Sequence, residues 1–306
     1  MFERIAAIAW RQHGAFSTTQ AREVGVSETW LSRAAADGRL ERRCRGVYVL
    51  AAAPATWRQR LMVEVLAAGE GALATGDSAL ALWCPEIEHP ARPVVATPIT
   101  SGRRTSPSSR VIRSLDLCLA KPGVVDGIPT VGVARALLDA SMDRSVDAVV
   151  ARINACQRHL PMSFGALADA LHVHARKGRP GIATFRRALA AMTAEVPDSE
   201  FERLVLRDLA RAGVPEPVLH HVVRVDGERP IELDLAWPDL RIDLELDGRD
   251  HLVRLQTARR DRQRDRILGR DGWTIPRYTW LDYLEDGAGM IDEIARLVAT
   301  RPFRGC

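Results

Sequence analysis

Apolar residues recur every third or fourth position through "FERIAAIAWRQHG", "STTQAREVG" and "SETWLSRAAADG", and each run stops at a glycine, Gly14, Gly25 or Gly38. That period predicts three short helices, with hydroxyl side chains at the start of the second and Ser27 at the start of the third as caps. The runs "RLERR" and "GVYVL", on either side of Cys44-Arg45, predict a two-stranded hairpin. Two short helices joined through "VGVS" make a helix-turn-helix, and the hairpin then reads as its wing. In that arrangement Thr29, Ser32 and Arg33 face a DNA major groove, with Arg42, Arg43 and Arg45 near phosphates. The alternative is a small helical cap whose hairpin touches no nucleic acid.

From residue 58 to about 190 the pattern is mixed, with helix-like "WRQRLMVEVLAAG" and "SALALW", strand-like "RPVVATPI" and "RVIRSL", and alanine-rich helices beyond. The basic, serine-rich "SGRRTSPSSR" reads as a solvated turn or a backbone-contacting loop. His172 and His174 stand two apart, which on a helix points them to different faces, and they read as surface residues. "AEVPDSE" marks a boundary near residue 195.

The last stretch has the sharpest pattern. "SEFERLVLRDLARAG" is an amphipathic helix closed by Gly213, followed by strand-like "VLHHVVRV", "IELDLAW" and "LRIDLELD", a helix rich in Arg and Asp, the strand "WTIPRYTW" and the helix "AGMIDEIARLVA". The order αβββαβα predicts a small sheet flanked by helices. In the second and third strands alternate residues are acidic: Glu232, Asp234, Asp239, Asp243, Glu245 and Asp247 fall within sixteen residues, with Arg241 the single positive side chain among them. Side chains in a strand alternate faces, so pairing these two strands through the "AWPDL" turn brings their acidic faces together, where like charges repel. A solvated, screened face would tolerate this; a hard divalent cation would relieve it. On the next helix the apolar stripe of Leu255 and Ala258 continues inward through Asp261, Arg262 and Asp265 before Leu268. Either that helix crosses a polar site or it is a surface helix laced by Asp and Arg pairs.

Composition narrows the class. The chain has 306 residues, 46% hydrophobic and 27% charged, so two or three soluble domains are expected: 1–57, 58–194 and 195–306. The net charge of +4 is small, but apart from Lys121 and Lys177 every basic residue is arginine, from a preference for bidentate phosphate contacts or a GC-rich coding bias. Five scattered cysteines without a C-x-x-C pair indicate neither a disulfide framework nor a zinc knuckle, which fits a reducing cytoplasm. No uncharged apolar run approaches the roughly 18 residues of a membrane span.

Residues 198–285 resemble domain-of-unknown-function family 559, which is related to the very-short-patch repair endonucleases and the PD-(D/E)xK nuclease superfamily. The segments that carry the likeness are "SEFERLVLRDLARAGVPEP", "IELDLAW", "DLELDGRDHL", "RDRQRDRILGRDGW" and "IPRYTWLDY". Residues 1 to about 140 resemble the winged-helix antitoxins of AbiEi-like type IV systems through "GRLERRCRGVYVL", "SALALW" and "GVARALLDAS". The resemblance implies an α+β multidomain chain: a winged helix-turn-helix, a mixed middle region and a restriction-endonuclease-like domain. It makes Asp234 and Glu245 acidic ligands for Mg²⁺ or Mn²⁺, with Glu202 a third ligand or else half of a Ser199–Glu202 capping box. Asp247 stands where the superfamily has its lysine and becomes a further ligand, leaving His251 or Arg262 for proton transfer or positive charge. Arg259, Arg260, Arg262, Arg264 and Arg266 would hold the flanking DNA backbone. Two functions follow: a metal-dependent DNA endonuclease, or a non-enzymatic DNA-binding regulator that meets a toxin or other protein partner and keeps a relic of the nuclease fold.

Overall fold

The first fifty residues form three helices, α1 (Phe2–Trp10), α2 (Thr18–Glu23) and α3 (Glu28–Ala36), and three strands, β1 (Ala15–Ser17), β2 (Leu40–Cys44) and β3 (Val47–Leu50). The computed structural model describes residues 1–100, 108–225, 228–247 and 258–300, with residues 258–261 described by their backbone alone. Ser17 and Gln20 cap α2 reciprocally: the Ser17 hydroxyl accepts from Gln20 N at 3.1 Å and the Gln20 side chain accepts from Ser17 N at 2.9 Å. Ser27 caps α3, its Oγ accepting from Trp30 N at 3.2 Å. The expected two-stranded hairpin is a three-stranded sheet in the order β1-β3-β2, with Phe16 opposite Tyr48. At three residues β1 is too short to display a period of two. Gly14, at φ +85°, makes its turn possible, since a Cβ there would lie 2.3 Å from Ala53 Cβ. Ile5, Phe16, Leu31, Leu40 and Tyr48 fill the core between helices and sheet.

Next come α4 (Trp57–Ala68), β4 (Leu73–Ala74), α5 (Gly76–Trp83), β5 (Val94–Pro98), β6 (Arg110–Ser114), β7 (Gly123–Val125), β8 (Ile128–Thr130), α6 (Val133–Ala140) and α7 (Val146–His159). Their strands form a five-stranded mixed sheet in the order β6-β5-β4-β8-β7. Helix α4 is buried nearly all round, including Leu61, Met62, Val63 and Val65. Its core is shared with Val47 and Val49 of β3 on one side and Val95 and Ile128 on the other. Of the basic loop, residues 101–107 lie outside the described residues; Ser108 donates to Glu64 at 2.6 Å.

Helices α8 (Phe164–His174) and α9 (Ile182–Met192) precede α10 (Asp198–Arg211), β9 (Val218–Val223), β10 (Ile231–Trp237), β11 (Ile242–Asp247), α11 (Ala258–Arg270), β12 (Arg277–Thr279) and α12 (Trp280–Thr300). From α10 onward the order is the αβββαβα that the pattern predicts. The sheet runs β12-β11-β10-β9, with β11 antiparallel to β10 and parallel to β12. Phe201, Trp280 and Tyr283 stack and cross edge-to-face in its helical layer. Two boundaries differ from the periodic reading. The last strand shortens to three residues after Pro276, which has no N–H to give a ladder. Helix α12 starts at Trp280 rather than Ala288, capped by the Asp282 carboxylate on Thr279 N at 2.7 Å, and bends at Asp286, whose side chain caps Gly289 N at 3.0 Å.

The protein is thus a mixed α+β chain, with three sheets among the described residues. It divides into two compact units, Met1–Ser163 with Val173–Phe185, and Phe164–His172 with Arg186–Cys306.

Candidate functional site

On α3 the residues Thr29, Ser32 and Arg33, three and four apart, share one exposed side, opposite the buried Leu31 and Ala34. Arg42, Arg43 and Arg45 are exposed on the hairpin. The ladder slips between Arg42 and Cys44, so Arg43 is the extra residue of a bulge, which re-aims it toward Gln59 at 3.4 Å and Glu41 at 3.3 Å. Arg33, Arg42 and Arg45 have no carboxylate partner among the described residues. Arg39, by contrast, pairs with Asp37 at 2.8 Å and lies over the Trp30 ring.

The acidic strands are arranged differently from a solvated face. All six residues of β11 are buried, Asp243 at 0%, Glu245 at 5% and Asp247 at 9% exposure. One step beyond the ladder pair Leu235–Leu244, Asp234 stands opposite Glu245, so the two acidic runs do share a side. Their counter-charges come from far along the chain. Arg264 on α11 closes on Glu245, lies 3.2 Å from Asp243 and donates to the Glu232 carbonyl at 2.9 Å. Arg277, in register with Glu245 on β12, also closes on that carboxylate and grips both oxygens of Asp265 at 2.8 and 2.6 Å. Among the described residues Glu232 carries no arginine on its carboxylate, which lies 3.0 Å from the His220 ring. Arg241 leaves the strand in a left-handed turn (φ 50°) and pairs with Asp271 at 3.2 Å. Burial, then the Glu245 charge, push the Asp243 carboxyl up to about 7 against the pull of Arg264. Asp234 keeps an exposed surface, yet the protein around it raises its carboxyl too, again against Arg264.

Mg²⁺ or Mn²⁺ does not fit these side chains as they are placed. Glu245 would have to share its oxygens with the ion, and both are faced by guanidinium groups. Among the described residues no three His, Cys, Asp or Glu side chains are grouped to hold a cation.

A second charged cluster had no place in the sequence reading. Arg135 bonds Asp139 at 2.9 Å and Ser114 at 3.0 Å; Arg179 closes on Asp116 and bonds Asp139 at 2.8 Å; Thr75 donates to Asp139 at 2.7 Å. All are buried, and so is His174, at 4% exposure, whose Nδ1 lies 2.8 Å from Asp116 and 3.1 Å from Arg135. The surface reading of His174 is corrected: α8 turns it into this network, while His172 is half-buried and meets the Tyr283 carbonyl at 2.7 Å. Burial, then the Arg135 charge, push His174 down, so its ring is neutral near pH 7. Burial raises Asp116, but the Ser114 hydrogen bond and the two arginines outweigh it and hold the carboxyl well below the usual range. The signal was present in "RALLDA": an Arg and an Asp four apart inside an apolar helix.

Residues 3–51 match the family model described as a transcriptional regulator, AbiEi antitoxin. No curated protein matches the chain. Among solved structures, the crystal structure of RV2827C protein from Mycobacterium tuberculosis is similar at 15% identity over 61% of this chain and 80% of that one, with a TM-score of 0.32.

The remaining residues singled out by sequence are dispersed. Glu202 is half-buried on α10, and the Ser199–Glu202 capping box does not form, because the helix starts at Asp198 and places Ser199 inside it. Arg262 and Arg266 are exposed, so the inward stripe of α11 runs through Arg264, Asp265 and Leu268 rather than Arg262. His251 and the side chains of Arg259 and Arg260 lie outside the described residues. Among the described residues no helix is long and apolar enough to cross a membrane.

Proposed function

We propose that the chain is a DNA-binding regulator of antitoxin type, in which α3 enters the major groove and the β2–β3 hairpin, as the wing of a winged helix-turn-helix, lies along the phosphates. The observation that carries this reading is the exposed set Arg33, Arg42, Arg43 and Arg45 within the stretch that matches the regulator model. Exposed guanidinium groups, three of them (Arg33, Arg42 and Arg45) without a carboxylate partner among the described residues, beside an exposed polar helix face supply the two things such a site needs, charge for phosphates and hydrogen-bonding side chains for base edges. The antitoxin half of the reading adds a protein partner, a toxin.

Salt-dependent binding of the full chain to duplex DNA tests it. Each phosphate contact adds about 0.9 to the slope of log affinity against log salt, so changing Arg42, Arg43 and Arg45 together to Ala should flatten that slope by about 2–3. An unchanged slope would remove the hairpin from the interface.

A second reading, phosphodiester hydrolysis by the αβββαβα unit, draws on Asp234 standing opposite Glu245. It requires Arg264 and Arg277 to release Glu245. Metal-dependent nicking of supercoiled DNA that disappears in Glu245→Ala would establish it.

A further inference from the structure

Helix α11 sorts its arginines. Arg264 turns inward, where Asp243 and Glu245 neutralise it. Arg262, Arg266 and Arg270 all stay exposed. These three are four residues apart, so they form one stripe on the side of the helix away from the buried Leu268. Among the described residues none of them has a carboxylate partner; the Arg266 guanidinium meets the Arg262 carbonyl at 3.1 Å. Nearby acids are already committed: Asp265 to Arg277, and Asp271 to Arg241 and to the Trp273 indole.

Like charges four apart weaken a helix, and a helix that only needed solubility would mix the two signs, as this one does on its inner side. An unmixed row of guanidiniums fits a partner that brings its own row of negative charge. With a rise of about 1.5 Å per residue, successive members stand about 6 Å apart along the axis. That is of the same order as the step between neighbouring phosphates on one strand of a nucleic acid. Arginine suits such contacts because its planar fork bonds phosphate oxygens in pairs.

We propose that the Arg262–Arg266–Arg270 stripe is a second DNA-backbone contact, sequence-independent and separate from the face formed by α3 and the hairpin. The choice of duplex DNA as the polyanion rests on the DNA-binding reading above; the stripe itself does not. Its contribution is affinity and residence on DNA of any sequence, leaving selection of a site to the first fifty residues.

The test uses the full chain and a labelled duplex of mixed sequence, titrated at several salt concentrations. Arg262→Gln, Arg266→Gln and Arg270→Gln together remove the charge and keep good helix formers. The salt slope should fall by about 2–3 and affinity near physiological salt by about tenfold or more. The corresponding Lys triple variant keeps the charge and should retain the slope. Loss of binding in the Lys variant equal to that in the Gln variant would point to helix damage and overturn the proposal. So would wild-type slope and affinity in the Gln variant. The hairpin variant, Arg42, Arg43 and Arg45 to Ala, run alongside, separates the two readings. If it binds as wild type while the Gln variant fails, the stripe stands and the hairpin falls. The opposite result leaves the hairpin and removes the stripe. Absence of wild-type binding at every salt concentration overturns both.

Discussion

Glu245 and Arg277 are ladder neighbours on parallel strands, and the guanidinium of one closes on the buried carboxylate of the other. The pair converts what the sequence presents as unrelieved negative charge into an internal ion network, since Arg277 also holds Asp265 and Arg264 approaches from α11. Its parts come from two strands and a helix more than thirty positions apart at the extremes.

Removing one partner of such a pair strands a buried charge. Arg277→Met should therefore lower the unfolding free energy by about 2–3 kcal/mol, below the full penalty for a buried pair because Arg277 keeps part of its surface in water. Glu245→Gln should also destabilise. A metal site starved of its ion predicts the reverse, stabilisation on loss of the charge, so urea unfolding of the two variants separates them.

Millimolar Mg²⁺ or Mn²⁺ should leave the melting temperature of the wild type where EDTA leaves it, because guanidiniums face the Glu245 oxygens. A ligand that binds only the folded state raises the melting temperature with concentration. A metal-dependent rise would mean that the arginines yield to the ion.

Asp243 gives stability a pH signature. Its folded pKa, about 7, lies above the roughly 3.9 of an unfolded aspartate, so the folded state holds the proton more tightly. The stabilisation is fully present below about pH 4 and disappears as pH rises through about 7. Asp243→Asn should flatten this part of the stability curve. Denaturant unfolding at pH 5 and pH 8 checks it: the wild type should lose on the order of 1–3 kcal/mol more than the variant between the two.

In the other charged cluster Arg135 is 3% exposed and serves Asp139, Ser114 and the Asp116 side. Arg135→Met leaves two buried carboxylates with Arg179 alone and should cost about 3–5 kcal/mol, read from urea unfolding. A cost under about 1 kcal/mol would mean that the network relaxes around the gap.

Cys84 and Cys156 lie with their sulfurs 2.9 Å apart, both fully buried, and burial raises both thiols. Thiolate is the reactive form, so neither should alkylate in the native protein, whereas the exposed Cys118 should. Mass spectrometry of iodoacetamide-treated protein, native and in urea, would show the order; early labelling of Cys156 would mean that α7 opens.

Local chemistry was the legible part. The caps at Ser17 and Ser27, the stops at Gly25 and Gly38 and the acidic alternation of β10 and β11 are each written within a few neighbouring residues. What sequence could not show was long-range pairing. Arg277 looked like an ordinary strand residue until β12 lay parallel to β11, and His174 looked like a surface residue until Arg135 and Asp116 arrived beside it. Periodicity also gave Arg262 an inward place that belongs to Arg264, because the stripe was extended from Leu255 and Ala258, whose side chains lie outside the described residues, rather than back from the buried Leu268. Strand β1 failed for a simpler reason: three residues carry no period.

The core that joins Val47 and Val49 to Leu61 and Met62 decides how the basic face can be used. Cutting after residue 57 would strip α4 from β3 and bare apolar area on both pieces, at about 25 cal/mol for each Å². The front of the chain is therefore not a cassette to be transplanted onto another protein: whatever its arginines hold is held by a sheet that leans on the helix behind it.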